Sequence, residues 1–110
     1  MAYDERLAGR IRDLVAAEPE LTEQQMFGGV AFLIGGNMAV GASGQGGLMV
    51  RVDPEETDQL LASTAARPME MRGRPVRGWL RVDLDEVATD EELSAWVDRG
   101  TAYARSLPAK

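Results

Sequence analysis

Cysteine and histidine are both absent from this chain of 110 residues, and their absence excludes several classes of function. Without cysteine there are no disulfides, no thiolate catalysis and no cysteine-based zinc sites. Without histidine the chain lacks the usual general base near neutral pH and the commonest metal ligand. We therefore expect a protein that holds no cofactor and is not an enzyme.

Long apolar runs are also absent. No run approaches the roughly 18 residues that a membrane-spanning helix needs. The acidic residues at positions 4 and 5 are unlike the start of a signal peptide. We therefore expect a cytoplasmic protein that does not bind a membrane.

Positive charge is scarce. The net charge is −6, from 18 acidic against 12 basic residues, and Lys110 is the only lysine. A general nucleic-acid-binding protein is normally basic, because neutralisation of phosphates dominates its affinity. The charge balance therefore disfavours nucleic acid as the main partner.

The remaining composition is that of one globular domain, which we assign to residues 1–110. Hydrophobic residues make up 45% of the chain and charged residues 27%. Near the N-terminus, apolar residues recur at helical spacing and predict an amphipathic helix over residues 4–17. Pro19 ends this helix, and residues 19–23 are predicted to form a polar connector.

Glycine is concentrated between Gln25 and Val52, where eight of the twelve glycines lie. Three short apolar segments, at 30–34, 38–42 and 48–52, are separated by two glycine-rich turns. This is the pattern of a three-stranded antiparallel meander. A phosphate-binding loop is excluded, since no Gly-Lys-Ser/Thr follows and neither turn joins a strand to a helix.

The second half of the chain alternates helices and strands. Residues 53–56 predict a helix start, 67–71 a short edge strand and 78–82 a further strand. Thr89 and Glu92 match a capping box that opens the last helix. The predicted order α-β-β-β-α-β(-β)-α indicates an α+β fold of two layers, with helices on one face of a mostly antiparallel sheet.

Seven acidic residues and no basic ones lie between Asp83 and Asp98. Such a cluster is able to hold a hard cation, which would support a carboxylate- and metal-dependent hydrolase. The segment lacks the spacing and the glycine of a calcium-binding hand. A solvated acidic face with helix capping is therefore the favoured interpretation.

An island of positive charge, Arg67 to Arg81, contains five arginines against one acid, Glu70. A rigid basic loop with an aromatic side chain is suited to an anionic partner such as nucleic acid. Its candidate contact residues are Arg72, Arg74, Arg77 and Trp79. The alternative is that these arginines pair with acids of the same chain.

Apolar residues are also expected on the sheet face that the helices leave uncovered. Their default role is in the core. A half-exposed apolar sheet face, however, often marks a protein-binding surface or a homodimer interface, where methionine allows adaptable packing. The candidate contact residues are Met26, Phe27, Met38 and Met49, and Phe32 belongs to the same group.

Three segments together resemble the N-terminal domain family of TfoX, also called Sxy, a bacterial regulator of natural competence. They are MFGGVAFL from Met26, Asn37-Met38, and GRPVRGW from Gly73. The resemblance spans the chain from the first helix to Trp96. It implies a two-layer α/β fold like that of type III secretion chaperones, with no agreed catalytic residues.

The resemblance also implies a small, cytoplasmic, non-enzymatic regulatory domain that acts through protein contacts, with another protein or a second copy as the partner. The second, helical domain of the competence regulator is not expected, since the sequence ends at Lys110. The alternative function is a nucleic-acid-associated module that uses the Arg67–Arg81 segment.

Overall fold

The computed structural model describes residues 4–26, 28–44, 46–71 and 73–109. Within these residues the chain forms one six-stranded antiparallel sheet, three α-helices and two 3-10 helices. The helices are α1 (Glu5–Val15), α2 (Thr57–Ser63) and α3 (Asp90–Ser106). The strands are β1 (Leu21–Met26), β2 (Gly29–Ile34), β3 (Asn37–Ala42), β4 (Leu48–Arg51), β5 (Arg67–Met71) and β6 (Arg74–Val82). The predicted α+β class is confirmed.

Side-chain caps begin α1 and α3 close to the starts that the sequence predicts, whereas α2 begins without a side-chain cap. Asp4 accepts backbone hydrogen bonds from the first turn of α1. Thr89 and Glu92 form the predicted capping box at the start of α3. The two 3-10 helices, Pro54–Glu56 and Leu84–Val87, precede α2 and α3. In the described part of the chain, none of the helices is long and apolar enough to cross a membrane.

The strand order across the sheet is β1-β2-β3-β4-β6-β5, and every neighbouring pair is antiparallel. Strands β1 to β4 form a meander, to which the β5–β6 hairpin is added through β6. The predicted edge strand over residues 67–71 is confirmed as β5. β6 starts at Arg74, four residues earlier than predicted. Pro75 pairs with β5 alone, at the margin of the sheet where proline is tolerated.

Two predictions about the start of the sheet are wrong. Residues 19–23 are not a polar connector, because β1 starts at Leu21, and the meander has four strands rather than three. β1 pairs with β2 over six residues, although its sequence, LTEQQM, is mostly polar and exposed. An edge strand of this kind lacks the alternation of apolar residues that marks a half-buried strand, so its sequence gives no period-2 signal.

The core lies between the helices and one face of the sheet. Alternate strand residues point into it: Val30, Phe32, Val40, Ala42, Leu48, Val50, Leu80 and Val82. The helices contribute Leu7, Ile11, Val15, Leu60, Leu93 and Val97. The helices therefore cover one face, as predicted. The opposite face, which we call the outer face, carries the intervening residues: Thr22, Gln24, Ala31, Leu33, Met38, Gly41, Met49, Arg67, Trp79 and Arg81.

A bulge in β3 brings α3 close to the sheet. Phe32 pairs with Val40 and Leu33 with Met38, which leaves Ala39 as an extra residue of β3. Ala39 is completely buried in a small second cluster with Ile34 and Ala104 of α3. The bulge therefore fixes where the C-terminal half of α3 lies on the sheet.

Candidate interaction surface

The centre of the outer face is apolar, and side chains of the same face cover it. Ala31 and Gly41, from neighbouring strands, are buried although the helices lie on the other face. Met49 lies over Gly41, since a Cβ atom on Gly41 would be 2.9 Å from the Cε atom of Met49. Met49 is therefore only 3% exposed and offers little contact area in this conformation.

Leu33 and Met38 provide accessible apolar surface on the outer face. They face each other across β2 and β3, and both are half-buried. Met38 is thus a predicted contact residue with accessible surface, whereas the sequence does not identify Leu33 as a contact residue. Leu33 lies within the continuous apolar run of residues 30–34, which hides the side of the sheet to which each residue points.

The other predicted apolar residues have different positions. Phe32 points into the core and is fully buried, so it has the core position that is the default expectation for these residues. Met26 is the last residue of the edge strand β1, where it pairs with Gly29. The predicted contact residues Phe27 and Arg72 lie outside the described residues.

The predicted basic segment forms the β5–β6 hairpin, and its charge is only partly neutralised by acids of the same chain. Arg67 makes an ion pair with Asp83 at 2.6 Å, as the alternative interpretation predicts. Arg74 is exposed, and it makes no ion pair with any acidic residue that the structure describes. The segment therefore keeps at least one cation that is open to a partner.

Two further arginines of the hairpin bind backbone carbonyl groups. The Nη2 atom of Arg77 donates a hydrogen bond to Pro54 O at 2.9 Å. The Nη2 atom of Arg81 donates one to Gly46 O at 3.2 Å. These bonds hold β6 to the turns before and after β4, because Gly46 and Pro54 flank that strand.

Trp79 makes a cation–π contact within the protein. The guanidinium carbon of Arg51 lies 5.7 Å from the centroid of the Trp79 ring and 5.7 Å from that of the Tyr103 ring in α3. All three side chains are half-buried. These cation–π contacts connect β4, β6 and α3, and the contact of Trp79 with an anionic partner stays a prediction.

The sheet is the basic part of an acidic protein. Five arginines lie on its strands, together with two acids, Glu23 and Glu70. The other described acids lie in helices, 3-10 helices and loops. Arg12 binds Glu23 through hydrogen bonds of 2.7 and 2.9 Å. These bonds lower the pKa of the Glu23 carboxyl, so Glu23 carries a charge that Arg12 already compensates.

Acidic side chains line a groove of about 510 Å³ between α3 and the segment that precedes α2. Asp53 and Glu56 lie on one side and Asp98 on the other, and Arg99 approaches Glu56 to 3.8 Å. Across the described ranges, no three acidic side chains form a group that could hold a metal ion.

These features define a class of protein: a small α+β domain with an antiparallel sheet that is covered by helices on one face and presents apolar and basic side chains on the other. Residues 13–104 match the TfoX N-terminal domain. The match covers most of the chain, and the chain therefore belongs to this family of regulatory domains. Comparisons with curated proteins and with solved structures gave no match.

The glycine pair that carries part of the family resemblance is required by the backbone. Gly28 has a φ of +77°, which favours glycine. A Cβ atom on Gly29 would collide with the carbonyl oxygen of Ala42 in β3. Neighbouring strands therefore approach closely at Gly29 and Gly41.

Proposed function

We propose that this protein is a non-enzymatic regulatory domain that works in the cytoplasm by binding another protein through the outer face of its sheet. Membership of the TfoX N-terminal domain family supports the regulatory role. The half-exposed pair of Leu33 and Met38 supports the choice of surface. A partner that covers this pair removes apolar area from water, which is the main favourable term in protein association.

Charged residues on β5 and β6, further across the outer face, indicate the chemistry of the partner. Arg67 and Arg81 lie on the same face, while Glu23, one of the two strand acids, lies in register with core residues on the other side. The proposed partner presents an apolar segment bordered by acidic side chains. Charge complementarity of this kind acts mainly on the association rate and on specificity.

Affinity capture from native lysate tests this proposal with a matched pair of variants. Leu33→Asp adds a carboxylate to the outer face, whereas Leu14→Asp adds one to α1, where Leu14 is 41% exposed. We expect the unmodified chain and Leu14→Asp to retain a protein that Leu33→Asp loses, with all three chains equally folded by circular dichroism. If all three chains retain the same protein equally, the outer face is not the binding surface. If none of them retains a specific protein, the proposed binding role is wrong.

A second candidate function is binding of nucleic acid by the β5–β6 hairpin. Exposed Arg74, which has no acidic partner among the described residues, supports it. A titration with single-stranded nucleic acid at low salt tests this function, with Arg74→Ala against Arg99→Ala as the control on α3. Binding that weakens only in Arg74→Ala supports the hairpin, and no binding at low salt removes this candidate.

A further inference from the structure

The sheet has two edge strands, and only one of them is protected against pairing with another strand. β5 contains Pro68, which has no N–H to donate, and its register with β6 is interrupted between Pro68 and Glu70. β1 pairs with β2 over six consecutive residues without interruption and contains neither proline nor lysine. Proline, bulges or charged side chains usually protect edge strands from pairing with another chain. β1 therefore offers an open pairing edge.

The single charge on β1 does not protect it. Glu23 is the only charged residue of the strand, and Arg12 binds its carboxylate through both oxygens. An approaching strand therefore meets a compensated ion pair rather than an isolated charge. The other exposed side chains, Thr22, Gln24 and Gln25, are neutral and polar.

The pairing of β1 with β2 shows which backbone groups face the open edge. The Gly35 N–H donates to Glu20 O at 3.1 Å and continues the register in which Leu21 pairs with Ile34. In an antiparallel ladder, successive residues bond alternately to one neighbour and to the other. Leu21, Glu23 and Gln25 therefore direct their N–H and C=O groups away from β2.

We propose that β1 pairs antiparallel with β1 of a second copy of this chain, about a twofold axis at Gln24 that is perpendicular to the sheet. This inference rests on the proposed function as a protein-contact domain and names a second copy as one of its partners. Glu23 then lies opposite the partner's Gln25, and these two residues exchange backbone hydrogen bonds on each side of the axis. The two copies form one continuous sheet with both sets of helices on the same face.

Charge favours this register over an axis at Glu23 and is compatible with a second copy as the partner. An axis at Glu23 would place two glutamates directly opposite each other, which is destabilising. The axis at Gln24 places each Glu23 opposite a neutral amide instead, so the strand is complementary to itself. A twofold interface is the commonest form of self-association. One pair of short strands buries less than a standard interface of about 1,600 Å², so we expect a weak, concentration-dependent dimer.

Because the chain contains no cysteine, a single engineered thiol reports the register. Gln24→Cys places two thiols opposite each other at the axis, where the Cα atoms of a non-hydrogen-bonded pair are about 4.5 Å apart and within disulfide range. Thr22→Cys lies on the same face of the same strand but away from the axis. Under mild oxidation we expect Gln24→Cys to form covalent dimers at least about tenfold faster than Thr22→Cys, because only the former has disulfide geometry.

Two further substitutions in the Gln24→Cys chain test whether the backbone edge causes the cross-link. Gln25→Pro removes an N–H that faces the open edge, while Gln25→Thr keeps it and serves as the control. Gln25→Glu leaves the backbone intact and places a carboxylate opposite the partner's Glu23. We expect Gln25→Pro and Gln25→Glu to slow cross-linking and Gln25→Thr to leave it unchanged, with folding checked by circular dichroism.

Equal cross-linking rates at positions 22 and 24 would overturn the proposal. So would a Gln24→Cys rate that is indifferent to both Gln25→Pro and Gln25→Glu, or cross-linking in lysate to a foreign protein in place of a second copy. These outcomes are separate from the capture experiment, which tests the outer face through Leu33→Asp. A failure of self-pairing is therefore distinguishable from a failure of the proposed function.

Discussion

Gly100 of α3 lies directly on the backbone carbonyl of Ala39, the extra residue of the β3 bulge. A Cβ atom on Gly100 would lie 2.5 Å from Ala39 O and 2.7 Å from Val40 Cγ1. Both distances are well inside van der Waals contact. The bulge and the glycine together therefore set the distance between α3 and the sheet, and this distance determines how tightly the core between them packs.

The same substitution at two helical glycines should change stability in opposite directions. Gly100→Ala forces α3 away from β3 and should lower the free energy of unfolding by about 1–3 kcal/mol, as overpacking does. Gly9→Ala in α1 meets no atom within 4 Å and should raise it by about 0.5–1 kcal/mol, because alanine restricts the unfolded chain. Urea unfolding of both variants measures the difference. Stabilisation by both substitutions would contradict the close approach of α3.

The ion pair between Arg12 and Glu23 should make a small, pH-dependent contribution to stability. Arg12 holds the pKa of the Glu23 carboxyl below its ordinary value in the folded state. The contribution is therefore complete above the unfolded pKa of about 4.3 and is lost as the pH falls through the lowered folded pKa. The side chains are 48% and 37% exposed, so solvent screening keeps the effect below about 1 kcal/mol.

Glu23→Gln measures this contribution. We expect the variant to be slightly less stable than the unmodified chain in urea at pH 7 and equally stable once the pH is below the folded pKa of Glu23. Added salt at pH 7 should reduce the difference, because the pair is exposed. A difference that persists at low pH would show that another interaction of Glu23 is responsible.

Asn37 anchors the segment that follows α3. It is 3% exposed, and its Nδ2 atom donates a hydrogen bond to Pro108 O at 2.9 Å. Asn37→Ala leaves the carbonyl without this donor and should cost about 1–3 kcal/mol. Asn37→Asp should cost more, because a carboxylate cannot donate and repels the carbonyl oxygen. Gln24→Ala, at an exposed strand amide, is the control and should stay within about 0.5 kcal/mol; equal stability of all three in urea would contradict the anchor.

The elements with strong local signals were predictable from the sequence. The amphipathic period gave α1, and the Thr89–Glu92 capping box gave the start of α3. The glycine-rich turns separated three of the strands. Each of these signals depends on residues close in the chain, where period and capping chemistry act directly.

The edge strand and the pairing of the arginines were not predictable in this way. β1 is polar and exposed, so it carries no apolar period. The partners of Arg67 and Arg77 lie far along the chain, at Asp83 and Pro54, and only the folded sheet brings them together. The accessible position of Leu33 likewise depends on strand register, because an apolar run gives no indication of the face to which each residue points.

Of the contacts proposed for the sheet of this domain, self-pairing through β1 is the one that needs no unidentified partner. Sedimentation velocity of the unmodified chain over a wide concentration range is therefore the most direct measurement, with Gln25→Pro in parallel. We predict that the mean mass rises from that of one chain toward that of two as concentration increases, while Gln25→Pro stays at one. A monomer at every concentration, or equal self-association of both chains, would contradict self-pairing through β1.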